Sequence, residues 1–339
     1  MDQSGTTDRR RTTEARREYV ACNGRDFVNY WQQVDECYVD RMNAFGYYTE
    51  LVDALRVTSR IEVRPLRQLL DPTSDRKHVV GLRHDIDADP LTALRCARYL
   101  ARVGLPGSFY LLHSAPYYGD FHDGVFVRNP EVPRWLRAML VAGCEIGIHN
   151  DVMGIETQFG VDGPTSLVTE LAWLRAHGAD VRGTVAHNSF SLYGAENYEV
   201  FRDRVLLPTD VAFDERRAAL PIGRLDEAEL NLRYEGTFAS PRSNPDLDAV
   251  RAFVEAPGAS VRSDTWMRTY LLDNPYCEWK VDSQLWLTGR DEWVLASRID
   301  QRATLEFGID LGRAIDRLRA LPEGSRTLIV VHPVYVRGS

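Results

Sequence analysis

Residues 78–113 read HVVGLRHDIDADPLTALRCARYLARVGLPGSFYLLH, and this stretch decides the fold class. A short apolar run, HVVGLRH (78–84), precedes PLTALRCARYLARVG (90–104), an amphipathic segment that closes on glycine, the common helix stop. A second apolar run, GSFYLLH (107–113), follows. The same alternation continues through VPRWLRAMLVAG (132–143), CEIGIHN (144–150), SLVTELAWLRAHG (166–178) and DVRGTVAHN (180–188). Repeated strand-helix units predict a parallel sheet, either a closed barrel or an open doubly wound sheet.

Outward from this core the pattern loosens. Toward the amino terminus, Phe27, Tyr30, Trp31, Val34, Cys37, Tyr38 and Met42 fall at three- and four-residue steps, which predicts a long helix packed outside the main fold. Residues 1–24 are polar, arginine-rich and aperiodic, and read as a flexible tail ahead of a single domain over 25–339. Toward the carboxyl terminus, strands are expected near 207–213, 231–238 and 292–298, a helix over 304–320 and a last strand at RTLIVVH (326–332).

Composition narrows the function classes. The 339 residues carry 41 Lys plus Arg against 49 Asp plus Glu, a net charge of −8, which argues against a nucleic-acid groove. Only Lys77 and Lys280 are lysines and no GxxxxGK[ST] run occurs, so P-loop phosphate chemistry is excluded. Five cysteines, odd in number and without a CxxC pair, fit a reducing compartment. With no apolar leader and no stretch near the ~18 apolar residues of a membrane span, the expectation is a soluble cytoplasmic protein.

Chemistry in parallel strand-helix folds gathers at the carboxyl ends of the strands, where the loops leave. His84-Asp85-Ile86-Asp87, His113, His149-Asn150-Asp151, His187-Asn188 and His332 each close a predicted strand, so five of the eight histidines are expected on one rim. Imidazole nitrogens converging with a carboxylate form a site for Zn²⁺ or a similar divalent ion. Asp85 and Asp87, two apart on a strand, point to one side, where two unpaired carboxylates repel unless a cation or a proton lies between them. An Arg83–Asp85 network is the competing structural account of the first of them. His149-x-Asp151 with a distal His187 or His332 also imitates the 2-His-1-carboxylate set of an Fe(II) oxygenase.

RHDID at 83–87, EIGIHN at 145–150, AHNS at 186–189 and VVHP at 330–333, in that order and spacing, resemble the polysaccharide deacetylase family, carbohydrate esterase family 4, in its branch with an RHDxD start. The resemblance spans residues 78–336. It implies a distorted (β/α) barrel, here with an added N-terminal helix, that holds one divalent metal by an aspartate and two histidines and hydrolyses an N-acyl or O-acyl group. Asp85 then matches the catalytic base, Asp87 the metal carboxylate, His149 a metal histidine and His332 the general acid. The metal is expected to be Zn²⁺, with Fe²⁺, Co²⁺ and Ni²⁺ as alternatives.

Three departures matter. The family's adjacent Asp-Asp is spread to Asp85-x-Asp87, so base and ligand could be exchanged. The HxxxH pattern runs from His149 to Met153 and lacks its second histidine; His187 is the chosen substitute, with Asp151 and His113 as weaker stand-ins. The arginine that holds the catalytic aspartate is missing from its motif, leaving Arg83 or Arg182 for that role.

EWKVDSQLW (278–286) matches the branch's Asp-Ser segment and nominates Trp279 and Asp282, beside Arg83 and Asn188, as substrate contacts. Tyr193, Tyr198, Tyr234, Trp266, Tyr270 and Trp286 are further candidates for aromatic platforms under a sugar ring, with core or loop anchors as the competing account. The expected function is removal of an N-acyl group, above all N-acetyl, from an amino sugar, a glycan or a sugar-containing biosynthetic intermediate. A non-catalytic carbohydrate-binding or scaffold protein on a deacetylase frame is the alternative outside enzymology.

Overall fold

The structure, a computed structural model, describes residues 30–72, 76–122, 125–187, 195–206, 215–243, 246, 248, 277–300 and 302–338, without the side chains of 32, 33, 122, 215 and 216. The tail over 1–24, the strand expected at 207–213, and Asn188, Tyr193, Trp266 and Tyr270 lie outside the described residues.

In chain order the helices are α1 (Tyr30–Tyr38), α2 (Phe45–Val57), α3 (Pro90–Val103), α4 (Val132–Val141), α5 (Val152–Phe159), α6 (Gly163–Ala176) and α7 (Leu311–Ala320). The strands are β1 (Ile61–Arg64), β2 (His78–Ile86), β3 (Ser108–Leu112), β4 (Gly119–His122), β5 (Val125–Arg128), β6 (Glu145–Asn150), β7 (Gly183–Ala186), β8 (Tyr234–Glu235), β9 (Ala239–Pro241), β10 (Cys277–Trp279), β11 (Ser283–Gly289), β12 (Glu292–Ile299), β13 (Arg302–Ile309) and β14 (Arg326–Val331).

Ten strands form one sheet in the order β13-β12-β11-β14-β2-β3-β6-β7-β8, with β1 added beside the start of β2. The ladders from β11 through β14 and β2 to β8 are parallel, and only β11-β12 and β12-β13 are antiparallel. A mixed α/β fold around a large, mostly parallel sheet is therefore what the chain forms; among the described residues no pairing joins β8 to β13.

All nine residues of β2 are buried, as the strand has partners on both edges and is covered on both faces. Its side chains divide by alternation. Val80, Leu82 and Ile86 enter the large core shared with the helices, whereas Val79 enters a second core with Tyr110, Val185, Tyr234, Leu328 and Val330. Arg83 and Asp85 follow the phase of Val79.

The helices start and stop where local chemistry requires. Asp89 caps α3 by accepting from Leu91 N and Thr92 N, Pro90 occupies its first turn, and Gly104 ends it at φ 74°. Asp162 and Asp310 cap α6 and α7 in the same way.

The predicted N-terminal helix is present over Tyr30–Tyr38, with Tyr30 and Val34 fully buried. It lies against the loops leaving β2 and β14: Tyr30 Oη donates to Ala88 O, and Arg337 reaches both Asp35 (2.9 Å) and Asp89 (3.0 Å).

Two expectations are corrected in the carboxyl third. The helix expected over 304–320 begins only at Leu311; its first part is β13, whose Leu305 pairs with Ala296 and Ile309 with Trp293. Ala303, Leu305, Phe307 and Ile309 alternate with period two, so pairing with β12 overrides the helical spacing. The strand expected at 231–238 shrinks to the two residues of β8.

Candidate metal centre

Sheet order places the rim residues side by side. His332 follows β14, Asp87 follows β2, His113 follows β3, His149 lies in β6 and His187 follows β7, and these five strands are neighbours in that order. Asp87, His149 and His187 each offer one ligand atom within 4.8 Å of the others. His332 Nε2 stands 3.4 Å from Asp87 Oδ2, and His149 Nε2 stands 3.3 Å from Asp87 Oδ1.

The proton positions follow from the partners. His149 Nδ1 lies 3.0 Å from Val185 O, and a carbonyl only accepts, so Nδ1 carries the hydrogen. In the neutral ring Nε2 is then a bare lone pair aimed at carboxylate oxygens of Asp87 (3.3 Å) and Asp85 (3.8 Å). Among the described residues Asp87 Oδ1 is buried without a hydrogen-bond partner. Acceptors facing acceptors in a buried place call for a cation or a proton between them. The donor set of two imidazoles and a carboxylate fits a divalent ion with open positions.

Asp85 is differently occupied. Arg83 Nε donates to its Oδ1 at 2.7 Å and Arg83 Nη2 to its Oδ2 at 2.5 Å, both residues being buried. Burial pushes the Asp85 carboxyl up, but Arg83, with His149 and His332 beside it, holds it below the usual carboxylate range. Burial opposes ionisation of Asp87 too, and the imidazoles of His332 and His149, when protonated, outweigh it. Both aspartates are carboxylates at neutral pH. Arg83 is thus the arginine on Asp85, while Arg182 bonds Asp180 at 2.5 Å.

His187 receives support from behind. Burial lowers its affinity for a proton, yet Asp151, with Nδ1 to Oδ1 at 3.6 Å, and the charges of Asp87 and Asp85 raise its pKa to about 9. Asp151 lies outside the close group of three, and so does not join His149 in an HxD ligand pair.

Several expected residues are placed elsewhere. His84 falls out of phase with Arg83 and Asp85, so it leaves the rim for the helix side of the sheet. There it stacks on Phe109, donates from Nδ1 to Ser108 O (3.1 Å) and accepts from Tyr48 Oη (2.8 Å). Burial lowers its pKa to about 4. His113 accepts the Asp151 N–H at Nε2 (2.9 Å), which spends its lone pair and removes it as a stand-in ligand.

Met153 is fully buried among Ala195, Leu220 and Ile222, so the position of the absent HxxxH histidine faces an apolar cluster. Asp282 stands just before β11, its Oδ2 accepting from the N–H of Arg326 (2.8 Å), a residue that lies six positions before His332 and so about 20 Å down the sheet from it. Trp279 lines the same small cavity as Asp282 and packs on Trp286, so neither nominated contact meets Asp85. Tyr198 and Tyr234 are buried at 3% and 8% exposure and offer no sugar platform.

The floor of the site is polar and was not foreseen. Tyr110, beside Asp85 in the ladder, bonds Tyr234 Oη (2.7 Å), which donates to Glu145 Oε1 (2.8 Å), and Ser108 Oγ donates to Glu145 Oε2 (2.6 Å). Gly147 makes room for it, since a Cβ there would stand 2.4 Å from the Tyr110 ring. Alternation could have placed Tyr110 beneath Asp85, whereas Tyr234 comes from a distant segment without any such signal. Among the described residues no helix is long and apolar enough to cross a membrane. Comparison of the chain with family models, with curated proteins and with solved structures gives no match.

Proposed function

We propose that the protein is a metal-dependent hydrolase that removes an N-acyl group, N-acetyl above all, from an amino sugar or a sugar-containing intermediate. The observation that carries the metal is the facing of Asp87 Oδ1 and His149 Nε2, two acceptors 3.3 Å apart, with His187 beside them. Asp87, His149 and His187 would hold the ion; Zn²⁺ suits these donors, and Fe²⁺, Co²⁺ and Ni²⁺ share them. When bound, such an ion would lower the pKa of a water to about 7 and would polarise an acyl oxygen.

The chain's own residues supply the proton transfers. Asp85, kept ionised by Arg83, accepts the proton of the attacking water; its two remaining lone-pair directions are not used by the arginine. His332, partly exposed and set against Asp87, delivers a proton to the leaving nitrogen. Burial of Asp85 and His149 at the floor excludes bulk water from the inner side. The assignment of Asp87 as ligand and Asp85 as base rests on this division: Asp87 keeps an unpartnered oxygen toward the imidazoles, and Asp85 is committed to a guanidinium.

Elemental analysis of untagged protein tests the proposal. About one divalent ion per chain is expected in the wild type, lost in His149→Ala and Asp87→Ala. Asp85→Asn is expected to keep the ion and to lose acetate release from N-acetyl sugars by about 10²–10⁴. A wild type that stays metal-free after incubation with zinc or cobalt, or full turnover in Asp85→Asn, overturns it.

A further inference from the structure

Two histidines of the proposed centre reach it from different strands, and they are held in different ways. For His149 the backbone carbonyl of Val185 selects the proton-bearing nitrogen. Among the described residues no carbonyl takes that place for His187. Its Nδ1 faces Oδ1 of Asp151 at 3.6 Å.

Asp151 is held on every side. Ser114 Oγ donates to its Oδ2 at 2.6 Å, Asn197 Nδ2 donates to its Oδ1 at 3.2 Å, and its backbone N–H donates to His113 Nε2 at 2.9 Å. The same Asn197 Nδ2 donates to His187 O at 2.8 Å, and Asn197 Oδ1 accepts from Met153 N at 2.8 Å. One buried side chain thus ties the start of α5, which carries Asp151, to the end of β7, which carries His187. Space is reserved as well: a Cβ on Gly154 would stand 2.4 Å from Asp151 Oδ1.

We propose that Asp151 is a positioning residue for metal binding: its carboxylate keeps the hydrogen of His187 on Nδ1 and so presents Nε2 as the ligand nitrogen. This rests on the metal centre proposed above. A neutral imidazole has two tautomers, and a carboxylate behind one nitrogen both chooses the tautomer and makes the other nitrogen a stronger donor. Loss of such a carboxylate typically lowers metal affinity by about 10–100-fold. In this reading Ser114, Asn197 and Gly154 serve Asp151, and Asp151 with His187 takes the place of the helix-borne histidine missing at position 153.

Zinc affinity of the full chain, measured by competition with a chromogenic chelator, tests this. Asp151→Asn keeps the shape of the side chain, and its zinc affinity is expected to fall about 10–100-fold with the circular dichroism spectrum unchanged. His187→Ala is expected to lower affinity at least as far, and adding Asp151→Asn to it is expected to cost nothing more, since the carboxylate acts only through that ring.

Should Asp151→Asn fail to fold, Ser114→Ala, which removes one support of the carboxylate, is expected to lower zinc affinity severalfold in a folded protein. Wild-type affinity in Asp151→Asn, or in a folded Ser114→Ala where it stands in, overturns the positioning role alone, as do losses that add in the double variant. A wild type that binds no zinc overturns the metal centre and this role together.

Discussion

Arg83 grips Asp85 through two parallel hydrogen bonds of 2.7 and 2.5 Å, although the two residues share a single strand and stand only two positions apart. Alternation puts both side chains on the same face, and the guanidinium fork matches the carboxylate in geometry as well as charge. Removing Arg83 leaves a buried carboxylate without its counterion. Arg83→Met is therefore expected to lower unfolding free energy by about 3–5 kcal/mol, read from urea titration. Arg83→Met combined with Asp85→Leu is expected to recover much of that loss, because no unpaired charge remains.

Met153→His would recreate the HxxxH spacing with His149 in sequence alone. The side chain at 153 packs against Ala195, Leu220 and Ile222, so the new imidazole is expected to be buried without a partner. The predicted outcome is a loss of about 1–3 kcal/mol and unchanged zinc stoichiometry. A gain in zinc affinity would show that α5 presents this position to the metal.

Stability should decline in mild acid because of buried neutral histidines. Burial lowers the pKa of His78 below its ordinary 6.5, and that of His84 to about 4. The unfolded chain takes up these protons near pH 6.5 while the folded chain does not. Their contribution is complete above about pH 6.5 and is lost as pH falls toward the folded values. In denaturant titrations between pH 6.5 and 4.5, replacing His84 by Gln should flatten the pH dependence by up to about 1.4 kcal/mol per unit. Equal slopes in both proteins would contradict a neutral, buried His84.

Asp89 joins three features of the rim. It caps α3, lies two residues after Asp87, and accepts from Arg337 Nη1 at 3.0 Å in the segment that follows His332. Asp89→Ala is expected to cost about 2 kcal/mol in thermal or urea unfolding. Asp89→Asn retains the cap and should cost less, and its remaining loss relative to wild type isolates the ion pair with Arg337.

Much of this protein was written locally. Short apolar runs marked β2, β3, β6, β7 and β14, and the 3.6-residue period marked α3, α4 and α6, because a strand buried on both faces is apolar throughout and side-chain direction along a helix depends on the backbone alone. Strand ends carrying Asp87, His149, His187 and His332 followed from the same pattern. So did two signals that went unused: His84 is out of phase with Asp85, and Ala303, Leu305, Phe307 and Ile309 alternate as a strand.

Tertiary structure alone decided which of these groups meet. Strand order and register set Asp87 against His149 and His332, turned Met153 into an apolar cluster and put Asp151 behind His187. They also left Trp279 and Asp282 at the far end of the sheet. Such contacts join residues tens to hundreds of positions apart, and their free energy comes from burial and pairing across elements, which no local window of the chain contains.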